Sequence, residues 1–259
     1  MTEFFIPLDV SPLFAGILVF SSFFTSALTA ALGLGGGVAM LAIMGIGLPV
    51  NTLLPVHGIV QLGSNFGRSV IQRRYLIWPL IGYFMLGSII GVILGGKISM
   101  MIPEFVAKIL LGSFILWSVY GARPRPTGTS RTLLTIGGAI TSVATMIVGA
   151  TGPLVAALLS SRGLTKQPLI ATHAACLVAQ HGLKILAFGF MGFAYAQWAP
   201  LLAAMIASGV LGTWLGSVFL DNLPERFFRL AFKITMTLLG VQIIWTALSG
   251  AAEILPLLK

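Results

Sequence analysis

The chain has 259 residues, of which 57% are hydrophobic and 8% are charged, and its mean hydropathy is +1.02. A soluble domain usually has about a quarter of its residues charged, so this composition excludes an ordinary water-soluble protein. The formal net charge of +9 does not indicate nucleic-acid binding, because the basic residues are dispersed at the ends of apolar stretches. The single cysteine, Cys176, excludes an internal disulfide bond and a cysteine metal cluster.

Continuous apolar stretches predict an all-α polytopic membrane protein. Five of them are long enough to cross a hydrocarbon core of about 30 Å, at 13–32, 76–96, 104–121, 199–220 and 232–250. The second element of each half is too short to cross, so the first two elements are expected to form a hairpin that crosses only in part. In all, ten helical elements are predicted, five in each of two halves: 13–32, 36–47, 53–72, 76–98, 103–121, 131–149, 153–162, 168–188, 198–220 and 224–250.

An internal repeat relates the two halves. The pattern Thr-Ser-x-x-Thr-x-x-x-Gly occurs at 25–33 and again at 141–149, an offset of 116 residues. Further along the chain the offset becomes 121, which indicates an insertion of about five residues near 187–197. The first offset also pairs polar and basic residues, among them Gly36 with Gly152, His57 with His173 and Arg68 with Lys184.

The two halves are separated by a polar segment at 122–131 that is rich in proline and glycine and is predicted to be a cytoplasmic linker. We therefore divide the chain into a first transmembrane repeat, 1–121, and a second transmembrane repeat, 132–259.

An odd number of elements in each half predicts that the two repeats are inverted relative to one another. Charge supports this, because the basic pair Arg73 and Arg74 has an uncharged counterpart at 189–197. If both termini are periplasmic, the basic residues collect on the cytoplasmic side of a bacterial inner membrane, as the positive-inside rule requires. Inverted repeats are common in secondary transporters. The alternative is a parallel repeat, in which the first two elements of each half form one continuous helix.

Glycine and proline interrupt each half after its first helix. The segment at 33–37 reads Gly-Leu-Gly-Gly-Gly, and Ala-Thr-Gly-Pro occupies the equivalent place at 150–153. Proline suits the first turn of a helix, so each break is expected to start a new short helix whose free N–H groups bind an anion. The two starts are expected to converge. The residues predicted to contact substrate at these breaks are Gly35, Gly36, Gly37, Thr151 and Gly152.

Two other glycine pairs have the spacing of close helix packing rather than of a site. They are Gly91 with Gly95 and Gly212 with Gly216.

Polar residues at helical spacing follow one face of the third helix in each half. Such residues inside a membrane segment usually face the protein interior or a water-filled path. Arg68 and Lys184 are expected at the two mouths of that path, although each could instead reach the membrane surface. We predict that Gln61, Asn65, Gln180 and His181 contact substrate, and that His57, Arg68, His173 and Lys184 supply pathway charge or proton coupling.

Carboxylates are missing from the middle of the predicted spans. The six acidic residues all lie at the ends of segments or outside them: Glu3, Asp9, Glu104, Asp221, Glu225 and Glu253. The ionisable groups inside are basic or histidine, so the sequence favours an anionic substrate over a cation, with histidine as the group able to exchange protons near neutral pH.

The sequence resembles the sulfite exporter TauE/SafE family of bacterial membrane proteins. The likeness rests on the glycine-rich segment 33–37, its looser copy at 149–153, the short helix after each, and the repeat of about 120 residues, and it covers 13–250. The resemblance implies a secondary transporter that exports sulfite or an organosulfonate such as sulfoacetate. We expect alternating access by rocking of the two halves, and no cofactor.

Two other functions are compatible with the sequence. The first is an uptake carrier or a passive anion channel. The second is an intramembrane enzyme with a metal at His57, His173 and His181. The second is disfavoured because no carboxylate lies at depth and no Gly-x-Ser-x-Gly or His-Glu-x-x-His motif is present. We therefore expect a transporter and not an enzyme, with no metal site.

Overall fold

A computed structural model of the chain describes residues 6–7, 10–32, 35–121, 130–219 and 225–254. Within these ranges it consists of ten α-helices, two short 3-10 helices (Arg73–Tyr75 and Tyr195–Trp198) and no strand. The helices are α1 Pro12–Leu32, α2 Gly36–Gly47, α3 Val50–Ile71, α4 Trp78–Met101, α5 Glu104–Tyr120, α6 Arg131–Val148, α7 Gly152–Ser160, α8 Lys166–Phe190, α9 Ala199–Phe219 and α10 Glu225–Ile254. The all-α fold is confirmed, while most of the predicted linker lies outside the described residues.

Among the described residues, six helices are long and apolar enough to cross a membrane. These helices are α1, α4, α6, α8, α9 and α10. The protein is therefore a multi-pass membrane protein. The predicted span 104–121 corresponds to α5, whose 17 residues leave it outside this group. The short second elements are confirmed, because α2 has 12 residues and α7 has 9. Neither reaches the length of about 20 residues that a span requires.

Helix boundaries reproduce the internal repeat. The offset of 116 residues carries the starts of α2 and α3 onto those of α7 and α8, and the offset of 121 carries the starts of α4 and α5 onto those of α9 and α10. The change of offset falls where it was predicted, between the end of α3 or α8 and the start of the next long helix. There α8 runs on to Phe190, whereas α3 ends at Ile71.

The most extensive helix packing joins the two halves to each other. In the first half α4 packs most extensively on α6 of the second, and in the second half α9 packs most extensively on α1 of the first. The helices α3 and α8 form a pair of equivalent helices, as do α5 and α10. Each half therefore completes its packing with helices of the other, and α3 and α8 bring their polar faces together.

Glycines allow α4 to pack closely on α6, and α9 to pack closely on α1. A Cβ atom on Gly91 would overlap the backbone of Ala139 on α6, and one on Gly212 would overlap the backbone of Phe23 on α1. Gly95 and Gly216 pack in the same way on these two partners. The prediction that these glycines serve helix packing is confirmed.

The outer surface of the bundle is apolar. Large hydrophobic side chains on α1, α4 and α10 are more than half exposed, whereas many of the polar residues of α3 and α8 are buried. An exposed apolar belt around a buried polar interior is the arrangement that a lipid environment favours. Among the exposed side chains are Phe20, Ile90, Leu94, Leu238 and Trp245.

Candidate functional site

The first turns of α2 and α7 meet at one cavity between the two halves. The cavity volume is about 30 Å³. On the same scale a single water molecule needs about 10–15 Å³. The cavity therefore fits a ligand of a few heavy atoms. It is lined by Thr29, Gly35, Gly37, Val38, His57, Gln61, Asn65, Arg68, Ala150, Thr151, Gly152, Pro153, His173, Leu177 and His181.

The lining is built from equivalent positions of the repeat. At the offset of 116 residues, five pairs of lining residues coincide. The cavity thus lies where the two halves present the same elements to each other. The pairs are Gly35 with Thr151, Gly37 with Pro153, His57 with His173, Gln61 with Leu177, and Asn65 with His181.

A short helix begins at each of the two glycine and proline interruptions, as the sequence predicts. Gly33 and Leu34 of the first interruption lie outside the described residues. The N-cap of α2 is Gly35, whose φ of +105° is a conformation that suits glycine. The N-cap of α7 is Thr151, whose side chain makes no capping hydrogen bond to its own helix. The positive ends of two helix dipoles, with their first-turn N–H groups, therefore lie at the cavity wall.

Histidines hold both helix starts. The Nε2 atom of His57 lies 2.9 Å from the carbonyl oxygen of Gly37, and the Nε2 atom of His173 lies 2.9 Å from that of Gly152. A carbonyl oxygen only accepts, so Nε2 carries the proton in both rings. Nδ1 is then the ring atom left to bind or release a proton. The rings of His57 and His181 meet edge to face at 5.9 Å.

Several buried polar atoms of the lining have no hydrogen-bond partner among the residues that the structure describes. They are Nδ1 of His57, Oδ1 of Asn65, Nε of Arg68 and Nδ1 of His181. All four side chains are at most 8% exposed. Leaving one buried polar group unsatisfied costs about 1–3 kcal/mol, so four around one cavity indicate a place where a polar ligand or water binds. No carboxylate is among the lining residues, which makes an anion the favoured ligand.

Ten of the thirteen residues predicted for the site line the cavity, and three do not. Gly36 lies beneath the wall, where a Cβ atom would overlap the carbonyl of Thr25. Gln180 and Lys184 are fully buried behind it. Both face α6 and its C-terminal end rather than the cavity, through the bonds described next.

Gln180 ties three segments of the second half together. Its Nε2 donates to Thr141 at 3.2 Å and to Ser142 at 3.0 Å, and its Oε1 accepts from the hydroxyl of Thr151 at 2.8 Å. All the partners are buried. This network fixes the N-cap of α7 against α6 and α8, so Gln180 positions the cavity wall from behind.

Five lining residues were not among the predicted site residues. Ala150 and Pro153 belong to the predicted break, and Val38 follows the glycine segment directly. Leu177 could have been found from the repeat, because it is the equivalent of Gln61. Thr29 bonds back to the carbonyl of Thr25 at 2.8 Å while also lining the cavity.

The three histidines do not assemble a metal site. In the part of the chain that the structure describes, no group of three His, Cys, Asp or Glu side chains is placed to hold a metal ion. Two of the rings are instead held by backbone carbonyls.

Comparison with known proteins identifies the family. The model of the sulfite exporter TauE/SafE family matches residues 18–243, a range that contains every residue of the cavity lining. The searches of curated proteins and of solved structures gave no significant match. Sequence, helical membrane architecture and family match agree, and we conclude that the chain belongs to the TauE/SafE family of sulfite exporters.

Proposed function

We propose that this protein is a secondary transporter that exports a compact sulfur-containing oxyanion, with sulfite as the substrate that fits best. The observation that carries the proposal is the cavity at which both α2 and α7 begin, beside a buried arginine and three histidines and without a lining carboxylate. Helix N-termini and cationic side chains are the groups that bind oxyanions in proteins.

The size of the cavity favours sulfite over larger sulfonates. A volume of about 30 Å³ for water-sized centres suits a few heavy atoms. An organosulfonate such as sulfoacetate, with a second anionic group, would require the cavity to open further. We therefore rank sulfite first and organosulfonates second.

We propose that transport occurs by alternating access, with the two halves rocking about the shared cavity. The pairing of lining residues at equivalent repeat positions supports this, because each half contributes one helix start and one histidine of the equivalent pair His57 and His173 to the site. We place the protein in the bacterial inner membrane, with inverted repeats, periplasmic termini and a cytoplasmic linker. The distribution of the basic residues supports that orientation.

We further propose that protons move with the anion through His57 and His173. Because Nε2 of each ring is bound to a carbonyl, a proton taken up at Nδ1 adds positive charge at the cavity. An anion in the cavity would favour that uptake, and the proton would in turn favour the anion, since such coupling is reciprocal.

The test is sulfite flux in proteoliposomes, with and without an imposed pH gradient. We expect flux in the wild type that responds to the gradient, and an Arg68→Ala variant reduced by about tenfold or more, since a charge-assisted hydrogen bond is worth about 1.5–3 kcal/mol. Arg73→Ala is the control, because Arg73 is exposed just beyond the same helix. Flux that follows only the sulfite gradient would identify a passive channel. Flux that a pH gradient of physiological direction drives inward would identify an uptake carrier.

A further inference from the structure

The orientation of one amide in the cavity wall is fixed by its partner. The side-chain nitrogen Nδ2 of Asn65 donates to the backbone carbonyl of Gln61 at 2.8 Å. Because a carbonyl oxygen cannot donate, the amide cannot be turned around. Its Oδ1 is left as a buried hydrogen-bond acceptor without a partner in the described part of the chain, on a side chain that is 1% exposed.

A donor without a partner lies one turn along the same helix. Arg68 follows Asn65 by three residues, so both side chains fall on one face of α3, and both line the cavity. None of the described residues supplies an acceptor for the Nε of Arg68. A second unsatisfied acceptor is Nδ1 of His57 when its ring is neutral. A ligand that satisfied this wall would have to accept from the arginine and also donate to an acceptor.

We propose that the cavity binds its oxyanion in a singly protonated form, whose O–H donates to Oδ1 of Asn65 while its other oxygens accept from Arg68 and the helix starts. The inference rests on the proposed function and specifies the form of the substrate. Hydrogen sulfite meets the requirement. A sulfonate has the same single charge, but it carries carbon on its sulfur and three oxygens without a proton, so it has no donor, and sulfate has more charge and no donor.

Asn65 is then the residue that distinguishes the protonated form of the substrate from the unprotonated form. A dianion or a sulfonate would place an acceptor or an apolar group against the amide oxygen and leave that oxygen buried and unpaired. Rejection by an unpaired buried group is stronger than rejection by a hydrophobic pocket, because the full desolvation cost remains. Discrimination therefore belongs to this amide and not to the cationic groups, which would bind all three anions.

The experiment measures binding of hydrogen sulfite, methanesulfonate and sulfate to the purified full-length protein at mildly acidic pH, read as thermal stabilisation. We expect the wild type to bind hydrogen sulfite at least about tenfold more tightly than methanesulfonate. Asn65→Leu removes the acceptor at similar size, and the ratio is expected to fall toward one. Asn51→Leu is the matched control, because Asn51 is an exposed asparagine on the same helix, and it is expected to keep the wild-type ratio.

Equal affinity of the wild type for hydrogen sulfite and methanesulfonate would overturn this inference and leave the proposed function standing. So would an Asn65→Leu variant that kept the full preference. Because equal wild-type affinities would overturn the inference without any variant, a poorly folded Asn65→Leu protein would not prevent the test. If none of the three anions stabilised the wild type, the proposed function itself would fall.

Discussion

Lys184 donates its Nζ to the carbonyl oxygen of Gly149 at 3.1 Å, inside the protein and at the end of α6. The lysine is fully buried, and the hydroxyl of Thr145 donates to the same oxygen at 2.9 Å. The C-terminal end of a helix carries partial negative charge, so the cation is balanced by a helix end. This buried place differs from the exposed mouth expected from the sequence.

Replacing Lys184 by methionine is expected to preserve the fold and to weaken anion binding. The apolar chain fills the same space, and Gly149 keeps its bond from Thr145, so stability should change by less than about 1.5 kcal/mol. Anion affinity should fall about tenfold, because one buried positive charge behind the cavity is lost. Lys184→Glu, which sets a negative charge against the helix end, should cost about 3–5 kcal/mol.

Thermal unfolding in detergent and sulfite titration separate the two effects. If the methionine variant bound sulfite as tightly as the wild type, Lys184 would serve only to cap α6.

Gln180→Leu is expected to destabilise the protein by about 2–4 kcal/mol, because the change leaves the hydroxyls of Ser142 and Thr151 buried without their partner. Gln167→Leu, at an exposed position of the same helix, should have little effect. Unfolding temperatures of the two variants measure the difference. Equal stability of both variants would show that the network does not hold the N-cap of α7.

Gly149→Ala should cost more than its backbone conformation alone explains. The residue has a φ of +89°, and an added Cβ would also overlap Leu41 and come within 3.0 Å of Leu54. The left-handed backbone costs about 1–2 kcal/mol for alanine, and crowding in a packed interior adds about 1–3 kcal/mol.

Gly163→Ala isolates the backbone share of that cost. Gly163 has a φ of +65° with open space around it, so this variant should lose only about 1–2 kcal/mol. Thermal unfolding of both variants gives the comparison, and an equal loss would contradict crowding at the end of α6.

His57→Gln is expected to keep sulfite transport while losing part of its response to a pH gradient. The glutamine amide can still donate toward the carbonyl of Gly37 but does not titrate. The response is measured as the ratio of sulfite flux with and without the gradient, beside His173→Gln and the double variant. An undiminished response in the double variant would remove both histidines from proton coupling.

Much of the fold follows from local signals in the sequence. The glycine and proline breaks fix the starts of α2 and α7, since these residues cannot continue a helix without cost. Helical spacing groups His57, Asn65 and Arg68 on one face of α3, and the structure places all three at the cavity. Signals of this kind depend on a few neighbouring residues, so they can be recognised before any tertiary contact is known.

What could not be predicted is how α8 is turned against its neighbours. Arg68 and Lys184 are equivalent in the repeat, yet the first lines the cavity and the second lies behind it. Periodicity shows that Gln180 and Lys184 share a face with His173, but not that this face also meets α6. The apolar Leu177 carries no polar signal, and only its equivalence to Gln61 in the repeat points to the cavity that it lines.

The exchange of helices between the halves has a consequence for biosynthesis. When the first half has been inserted, α1 and α4 still lack α9 and α6, the helices on which they pack most extensively. Their glycine and serine faces then remain open to lipid or to an insertion chaperone until the second half has been synthesised. Assembly of the bundle is thus expected to be completed late, when α9 enters the membrane and closes on a helix made near the beginning of the chain.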